Sequence, residues 1–305
     1  LDPSATDPNV SHPAHIHLNS VSEGGGIEYY LSAVNGSAPN GTTARKIGVP
    51  IEDLATFDGH VNVHASPANL ETVVAQGNIG ANAEGTEGEG LNFVDSPRAT
   101  TYPLNASPTE GSVLTGGITG TVRFKELTSS QTLVTYALDT DGSVENYVGS
   151  DVTVAQIGHI HENTVAEGGS IVSGPFSGYL GSVAPTDPAA RSSRIINAGF
   201  DELTGYDGYV NIHQSNANAQ YVFAQGNIGA NAINATITVS NQGTAAWEVT
   251  GVRGDSGVAS TGMDNPSFSL TVGHRYRIDN DAGIGAHPFA LETGTDEDYL
   301  LRQEP

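Results

Sequence analysis

The chain of 305 residues contains no cysteine and carries a formal net charge of −23, because 34 Asp and Glu stand against only 11 Lys and Arg. A protein that neutralises nucleic-acid phosphates needs clustered cations, so that class is excluded. An anionic membrane surface is disfavoured for the same reason, and no apolar run approaches the ~18 residues of a membrane span. Without cysteine, neither disulfides nor thiolate metal sites can form.

The first predicted elements form a series that carries histidines. A strand with the segment His-Ile-His contains His15 and His17, and a Gly-rich turn follows it. A short helix of at most two turns is expected within 49–59, and a strand bearing His64 comes next. Side chains two positions apart on a strand share a face, so His15 and His17 point the same way. If the His64 strand lies beside them, three imidazoles converge.

The same series recurs later in the chain. Residues 15–26 match 159–170, residues 57–69 match 206–218, and the nine-residue segment AQGNIGANA at 75–83 is repeated letter for letter at 224–232. Identical segments in the same order predict an internal duplication. The second copy has its own short helix within 198–208. It also has the matching histidines, which are His159, His161 and His213.

The two copies differ in what precedes them. The stretch 101–158 before the second copy alternates apolar and polar residues, a pattern that predicts about three strands. Only fourteen residues precede His15, so the first copy has no equivalent of these strands. Either the chain is a fragment, or the missing strands come from elsewhere. A sheet edge without its neighbour is a template for another chain, so we expect a homo-oligomer or polymer formed by strand complementation.

Beyond Ile233 no repeat is visible, but the period of two continues. The sequence therefore predicts an all-β fold of tandem immunoglobulin-like or sandwich-like modules. The boundaries that we predict are repeat 1 at 1–90, repeat 2 at 91–232 and a C-terminal module at 233–305. The first and last modules are expected to be incomplete.

The matched histidines are the candidate metal ligands, and they comprise His15, His17 and His64 in repeat 1 and His159, His161 and His213 in repeat 2. Three neutral imidazoles suit Cu(II), Zn or Ni and leave a coordination position open. Copper is the first expectation and zinc the alternative. The competing interpretation is that the histidines are structural and bond backbone groups in a polar cleft. His12 and His60 are matched by Gln156 and Tyr209, so they are not expected to be shared ligands.

Two carboxylates also match between the repeats. Glu23 and Glu167 follow the histidine strands and could orient an imidazole. The alternative is that both glutamates are exposed residues of a turn, and we favour this interpretation over a role in orienting an imidazole.

The order of elements in the repeat resembles the CHRD (chordin-type) family, through HIH, Y-V-N-I-H and a closing strand that is QGNIGA here rather than the usual E-I-R-G. Repeat 2 covers the pattern over 101–232, and repeat 1 covers its second half over 12–83. The resemblance implies an extracellular β-sandwich module. The segments NPSFSLTVGHRYRI and AHPFAL resemble a cupredoxin-like module, in which His287 would occupy a copper-ligand position. The later Cys, His and Met of that site do not occur in the chain.

The sequence predicts a non-enzymatic, extracellular or cell-surface protein that binds metal and assembles into an oligomer or filament. It lacks the G-x-S-x-G, H-E-x-x-H and P-loop motifs. It also begins at Leu1, which we interpret as the start of a processed, exported chain. One alternative is a copper oxidoreductase, either dismutase-like or active in electron transfer. The HIHEN segment is locally similar to the H-x-H of copper/zinc superoxide dismutase. The other alternative is a metal-free envelope or adhesion module.

Overall fold

The structure is a computed structural model of the chain. It describes residues 1, 9–38, 41–83, 92–107, 109–111, 117–139, 155–184, 187–243, 246–254, 257–270, 275–280, 290–292 and 299–302. The predicted all-β class is confirmed, since strands dominate and each of the two helices in the described residues has five residues. The chain divides into two compact units, Leu1–Asn231 and Ala232–Pro305, and both repeats lie in the first.

Repeat 1 forms a four-stranded antiparallel sheet and a separate two-stranded one. Its elements are β1 (Ser11–His12), β2 (Ala14–Leu18), β3 (Ile27–Tyr30), β4 (Val34–Asn35), α1 (Ile51–Ala55), β5 (Asp58–Ser66) and β6 (Asn69–Gly80). The larger sheet has the order β3-β2-β5-β6, and β1 pairs with β4. β2 therefore lies next to β5, which is the adjacency needed to bring the two histidine strands together.

Repeat 2 builds the same sheet and adds a second layer to it. Its elements are β7 (Ala99–Ala106), β8 (Gly120–Thr128), β9 (Gln131–Leu138), β10 (Gln156–Glu162), β11 (Tyr179–Val183), β12 (Arg191–Ile196), α2 (Phe200–Thr204), β13 (Asp207–His213) and β14 (Val222–Gly229). The strand order β11-β10-β13-β14-β7-β8-β9-β12 forms one sheet of eight strands. The predicted strands over 101–158 are present as β7, β8 and β9.

The eight-stranded sheet folds over on itself to enclose the core of repeat 2. From β9, the Tyr136 hydroxyl donates to the carbonyl oxygens of Gln156 (2.8 Å) and Gly181 (2.9 Å) on the opposite layer. On β10, β13 and β14, the apolar side chains that point towards the opposite layer are fully buried. They are Ile160, Val210, Ile212, Ala224 and Ile228. Alternation along β10 turns the intervening His159 and His161 to the outer face.

A segment of repeat 1 bridges β11 and β12, which are the two end strands of this sheet, and this junction is called the seam. Ala33 exchanges both backbone hydrogen bonds (3.2 Å each) with Ser182 of β11, and the Ala44 amide donates to Ser193 of β12 (3.0 Å). Next to this seam, the buried Arg45 guanidinium forms an ion pair with the buried Asp187 carboxylate. The two repeats are therefore joined by backbone pairing as well as by a charge pair.

The strand sequence AQGNIGANA lies in two different environments. In repeat 2 it runs along β14, which pairs with β7 through Ala224 and Gln225. In repeat 1 it runs along β6, which forms the edge of its sheet. Val73 and Val74 on that strand are 36% and 48% exposed, and Ile79 is only half-buried. Among the described strands, none equivalent to β7, β8 or β9 pairs with this sheet.

The second unit has its own small core. β15 (Ile233–Gln242) pairs antiparallel with β16 (Ala246–Gly254) and parallel with β17 (Arg275–Asn280), while β18 (Ala290–Glu292) pairs with β19 (Tyr299–Arg302). Its buried cluster consists of Ala235, Ile237, Val239, Trp247, Val249 and Val258.

Candidate metal centres

In repeat 1 the sheet brings the three predicted ligands together. β2 carries His15 and His17, and the neighbouring β5 carries His64. One ring nitrogen from each residue lies within 4.8 Å of those of the other two. The ring centroids are 5.0 Å apart for His15 and His64, 5.8 Å for His15 and His17, and 5.9 Å for His17 and His64. All three side chains are buried.

Repeat 2 reproduces this arrangement on β10 and β13. The ring centroids are 5.0 Å apart for His159 and His213, and 5.9 Å for each of the other two pairs of the cluster. Its three ligand nitrogens also lie within 4.8 Å of one another, and its side chains are buried too. The duplication has thus preserved the geometry of the cluster together with its residue types.

Backbone carbonyls fix the orientation of the imidazoles. The Nδ1 atoms of His17, His64 and His161 lie 3.0, 2.5 and 3.0 Å from carbonyl oxygens of Gly25, Leu70 and Gly169. A carbonyl oxygen can only accept, so Nδ1 holds the proton in each ring and Nε2 keeps its lone pair. Those three Nε2 atoms are buried and have no hydrogen-bond partner. This is the state in which histidine binds a metal.

The remaining member of each H-x-H pair is also unsatisfied. His15 Nδ1 is buried without a hydrogen-bond partner, and so are both ring nitrogens of His159 and of His213. An unmade hydrogen bond at a buried polar atom costs about 1–3 kcal/mol. Each cluster therefore brings one ring nitrogen from each of three histidines together, and a bound cation would give each of these nitrogens a partner.

Burial lowers the pKa of five of these imidazoles, which are His15, His64, His159, His161 and His213. It lowers the pKa of His15 to about 3, with smaller contributions from the nearby His64 and His17. It lowers the pKa of His213 to about 4, where a backbone contact with Ala219 opposes the effect in part. The pKa of His159 falls well below 6.5 through burial and through its two neighbouring imidazoles. A neutral ring needs no deprotonation before it binds a metal.

Two turn glycines, whose carbonyl oxygens orient the rings, were not predicted from the sequence. A Cβ on Gly25 would lie 2.3 Å from the Leu18 carbonyl oxygen, and one on Gly169 would lie 2.1 Å from that of Glu162. Only glycine allows the turn to approach the strand this closely. The matching segments EGGG and EGGS contained the only signal for it.

The two matched carboxylates are used within the turn. Glu23 accepts hydrogen bonds from the backbone amide (3.2 Å) and hydroxyl (2.5 Å) of Ser20. Glu167 accepts the same pair of bonds from Thr164, at 3.2 and 2.7 Å. Neither is hydrogen-bonded to a ligand imidazole, so the favoured alternative, an exposed turn, describes their position.

Aromatic rings pack around each cluster. Tyr30 meets His15 edge-on at 5.0 Å, and Tyr179 meets His159 in the same way at 5.1 Å. His60 stacks on His17 at 5.1 Å, where repeat 2 stacks Tyr209 on His161 at 4.9 Å. His60 thus occupies an aromatic packing position.

The remaining described histidine, His12, belongs to neither ligand group. His12 contacts the His64 carbonyl oxygen through Nδ1 at 3.1 Å, and its Nε2 is buried. His274 and His287 fall outside the described residues, as does the AHPF part of the cupredoxin-like segment.

No protein-family model matches the chain, and no curated protein matches it. The resemblances to the CHRD family and to cupredoxin-like modules therefore stay predictions. Within the described part of the chain, neither helix has the length or apolar character that a membrane crossing requires.

Proposed function

We propose that the protein binds metal in its two repeats, with one copper ion held by His15, His17 and His64 and another by His159, His161 and His213. The observation that carries the proposal is the set of buried, unpartnered imidazole nitrogens that converge twice in the same geometry. Histidines with a purely structural role would be expected to have their buried nitrogens bonded within the protein.

Copper is the metal that we propose, and zinc is the alternative. Imidazole nitrogen suits both, and copper lies at the top of the affinity order for divalent first-row metals. Zinc would need a fourth ligand to complete its usual tetrahedron. Each cluster supplies three histidines, and the described residues add no carboxylate to either group.

Metal analysis of the natively purified protein tests the proposal. We expect about two equivalents of copper per chain, falling to about one in the double variant H161A/H213A. The matched control is H12Q/H60Y, which gives repeat 1 the residues that repeat 2 has at these positions, Gln156 and Tyr209, and should retain two equivalents. Protein that contains no metal, and takes up neither Cu nor Zn after dialysis against each, would overturn the proposal.

We further propose that the protein is non-enzymatic and works outside the cell. The support is the resemblance of the repeat to an extracellular module family, together with the absence from the sequence of the hydrolase and nucleotide-binding motifs considered above. Fractionation of the producing cells tests the location, and recovery of the chain in the cytosol alone would contradict it.

Assembly with a second copy is the last part of the proposal. It is supported by the exposed edge strand β6 of repeat 1, which carries the same AQGNIGANA segment that, in repeat 2, pairs with β7 through Ala224 and Gln225. A second copy could supply the missing layer by strand complementation. Light scattering over a wide range of protein concentration should then show oligomers, and a well-folded monomer at every concentration would refute this part.

A further inference from the structure

We propose that both histidine clusters are built to hold copper as Cu(I) in preference to any divalent ion. This inference rests on the proposed metal-binding function and specifies the state of the metal at the same two sites.

The first argument is charge. All six ligands are imidazoles, which bind a metal in their neutral form, and all six side chains are buried. No carboxylate belongs to either group among the described residues. A bound ion would therefore keep its whole charge inside the protein. Because the Born energy of an ion grows with the square of its charge, desolvating a divalent ion costs about four times as much as desolvating a monovalent ion of the same size.

The second argument is burial. His15, His159 and His213 are 2%, 3% and 6% exposed, and Tyr30 and Tyr179 pack edge-on against the H-x-H pairs. A site this dry offers little solvent to offset the charge of a divalent ion. The groups packed around a metal site and its access to solvent also control the reduction potential of the bound metal.

The third argument is the number of ligands. Zn²⁺ normally takes four, and Cu(II) prefers a tetragonal set. Cu(I) has a filled d shell, as Zn²⁺ does, and so has no geometric preference of that kind. It is satisfied by two or three nitrogens. Each cluster brings three ring nitrogens within 4.8 Å of one another, and the nearby Glu23 and Glu167 are already bonded to Ser20 and Thr164.

Competition titrations on the full chain test the inference. The metal-free protein is titrated anaerobically with Cu(I), held reduced by ascorbate and buffered by bicinchoninate, and Zn(II) is then added in about 100-fold excess. We expect two Cu(I) per chain that zinc does not displace. The Cu(II)/Cu(I) potential of the bound metal should be higher than that of the aqueous couple, by about 59 mV for each tenfold preference for Cu(I).

The outcomes separate this inference from the function on which it rests. Displacement of Cu(I) by zinc, or tighter binding of Cu(II) than of Cu(I), would overturn the preference for Cu(I) and leave two metal sites in place. Failure to bind copper or zinc in any state would overturn both proposals.

A charged ligand provides the sharper test. In H213D, the site of repeat 2 gains one anionic ligand, so its preference should move from Cu(I) towards Zn(II). Repeat 1 in the same molecule is the control and should keep its Cu(I). Retention of Cu(I) at both sites under the zinc challenge would contradict the charge argument. If H213D does not fold, H64D makes the same test in repeat 1.

Discussion

At the scale of single residues, the two centres depend on imidazoles that remain neutral because they are buried. Neutral rings are competent to bind metal, but they make the metal-free fold sensitive to acid. In the unfolded chain a histidine has its ordinary pKa of about 6.5 and takes up a proton readily. In the folded chain His15 and His213 take one up only near pH 3 and 4.

The metal-free protein should therefore lose stability as the pH falls from 6.5 to 4.5. In this window the unfolded state binds more protons than the folded state, so the free energy of unfolding decreases by up to about 1.4 kcal/mol per pH unit for each such histidine. Above pH 6.5 these groups contribute no pH dependence. Urea unfolding at several pH values measures the slope, and H213Q should reduce it. A flat profile across the window would be inconsistent with buried neutral rings.

Two adjacent turn glycines allow a paired test of how His17 is oriented. In G25A the new methyl group would meet the Leu18 carbonyl oxygen, so the turn must move and His17 Nδ1 loses its acceptor. We expect the metal affinity of repeat 1 to fall by about 10–100-fold, the usual effect of losing such a partner. G26A is the control, because its Cβ meets nothing within 4 Å. Equal affinities in the two variants would show that the carbonyl does not matter.

At the scale of elements, the same strand sequence has different requirements in the two repeats. A Cβ on Gly226 of β14 would lie 2.2 Å from the Pro103 carbonyl oxygen of β7. A Cβ on the matching Gly77 of β6 meets nothing within 4 Å among the described residues. The glycine is needed where β7 crosses the strand, and in repeat 1 no described residue makes such a contact with it.

Alanine at these two positions should therefore act in opposite directions. G226A is expected to destabilise the first unit by about 1–3 kcal/mol through overpacking. G77A should be neutral or stabilise the monomer by about 0.5–1 kcal/mol, because glycine weakens a strand interior. Chemical denaturation measures both. If a second copy covers β6 as β7 covers β14, G77A should also abolish the oligomer, and a monomer destabilised by G77A would mean that Gly77 is already covered.

Elements with a local pattern were the ones that the sequence could predict. Alternation of period two and the duplicated segments predicted the strands of both repeats and the short helices α1 and α2. The convergence of His64 with His15 and His17 was a conditional prediction, because it depends on β2 pairing with β5. The backbone carbonyls that orient the rings could not be predicted, since they carry no side-chain pattern. Neither could the seam at Ala33 and Ala44, which is formed by backbone bonds in a polar stretch.

At the scale of the whole molecule, the seam at Ala33 and Ala44 joins the two repeats within the first unit. Arg45 and Asp187 are 6% and 2% exposed, so their ion pair is almost completely removed from water. Such a pair adds little net stability, but the loss of one partner leaves the other charge buried and alone.

Removing one member of this pair should lower the free energy of unfolding of the first unit. R45A is expected to destabilise the first unit by about 3–5 kcal/mol. The control is R277A in the second unit, which breaks the exposed pair with Asp279 and should cost at most about 1 kcal/mol. Thermal unfolding of the two variants makes the comparison. A small effect of R45A would mean that water reaches Asp187.

The duplicated strand also affects how the chain reaches its native state. Among the described elements, β7 is the next strand after β6, with the eighteen residues 81–98 between them, so the two could pair early as antiparallel neighbours. The native partner β14 is made much later in the chain. Local pairings form faster than distant ones. During folding, β6 therefore competes with β14 for pairing with β7, because the two strands share the same sequence segment. The layers of repeat 2 must outcompete this early pairing through the core that they bury together.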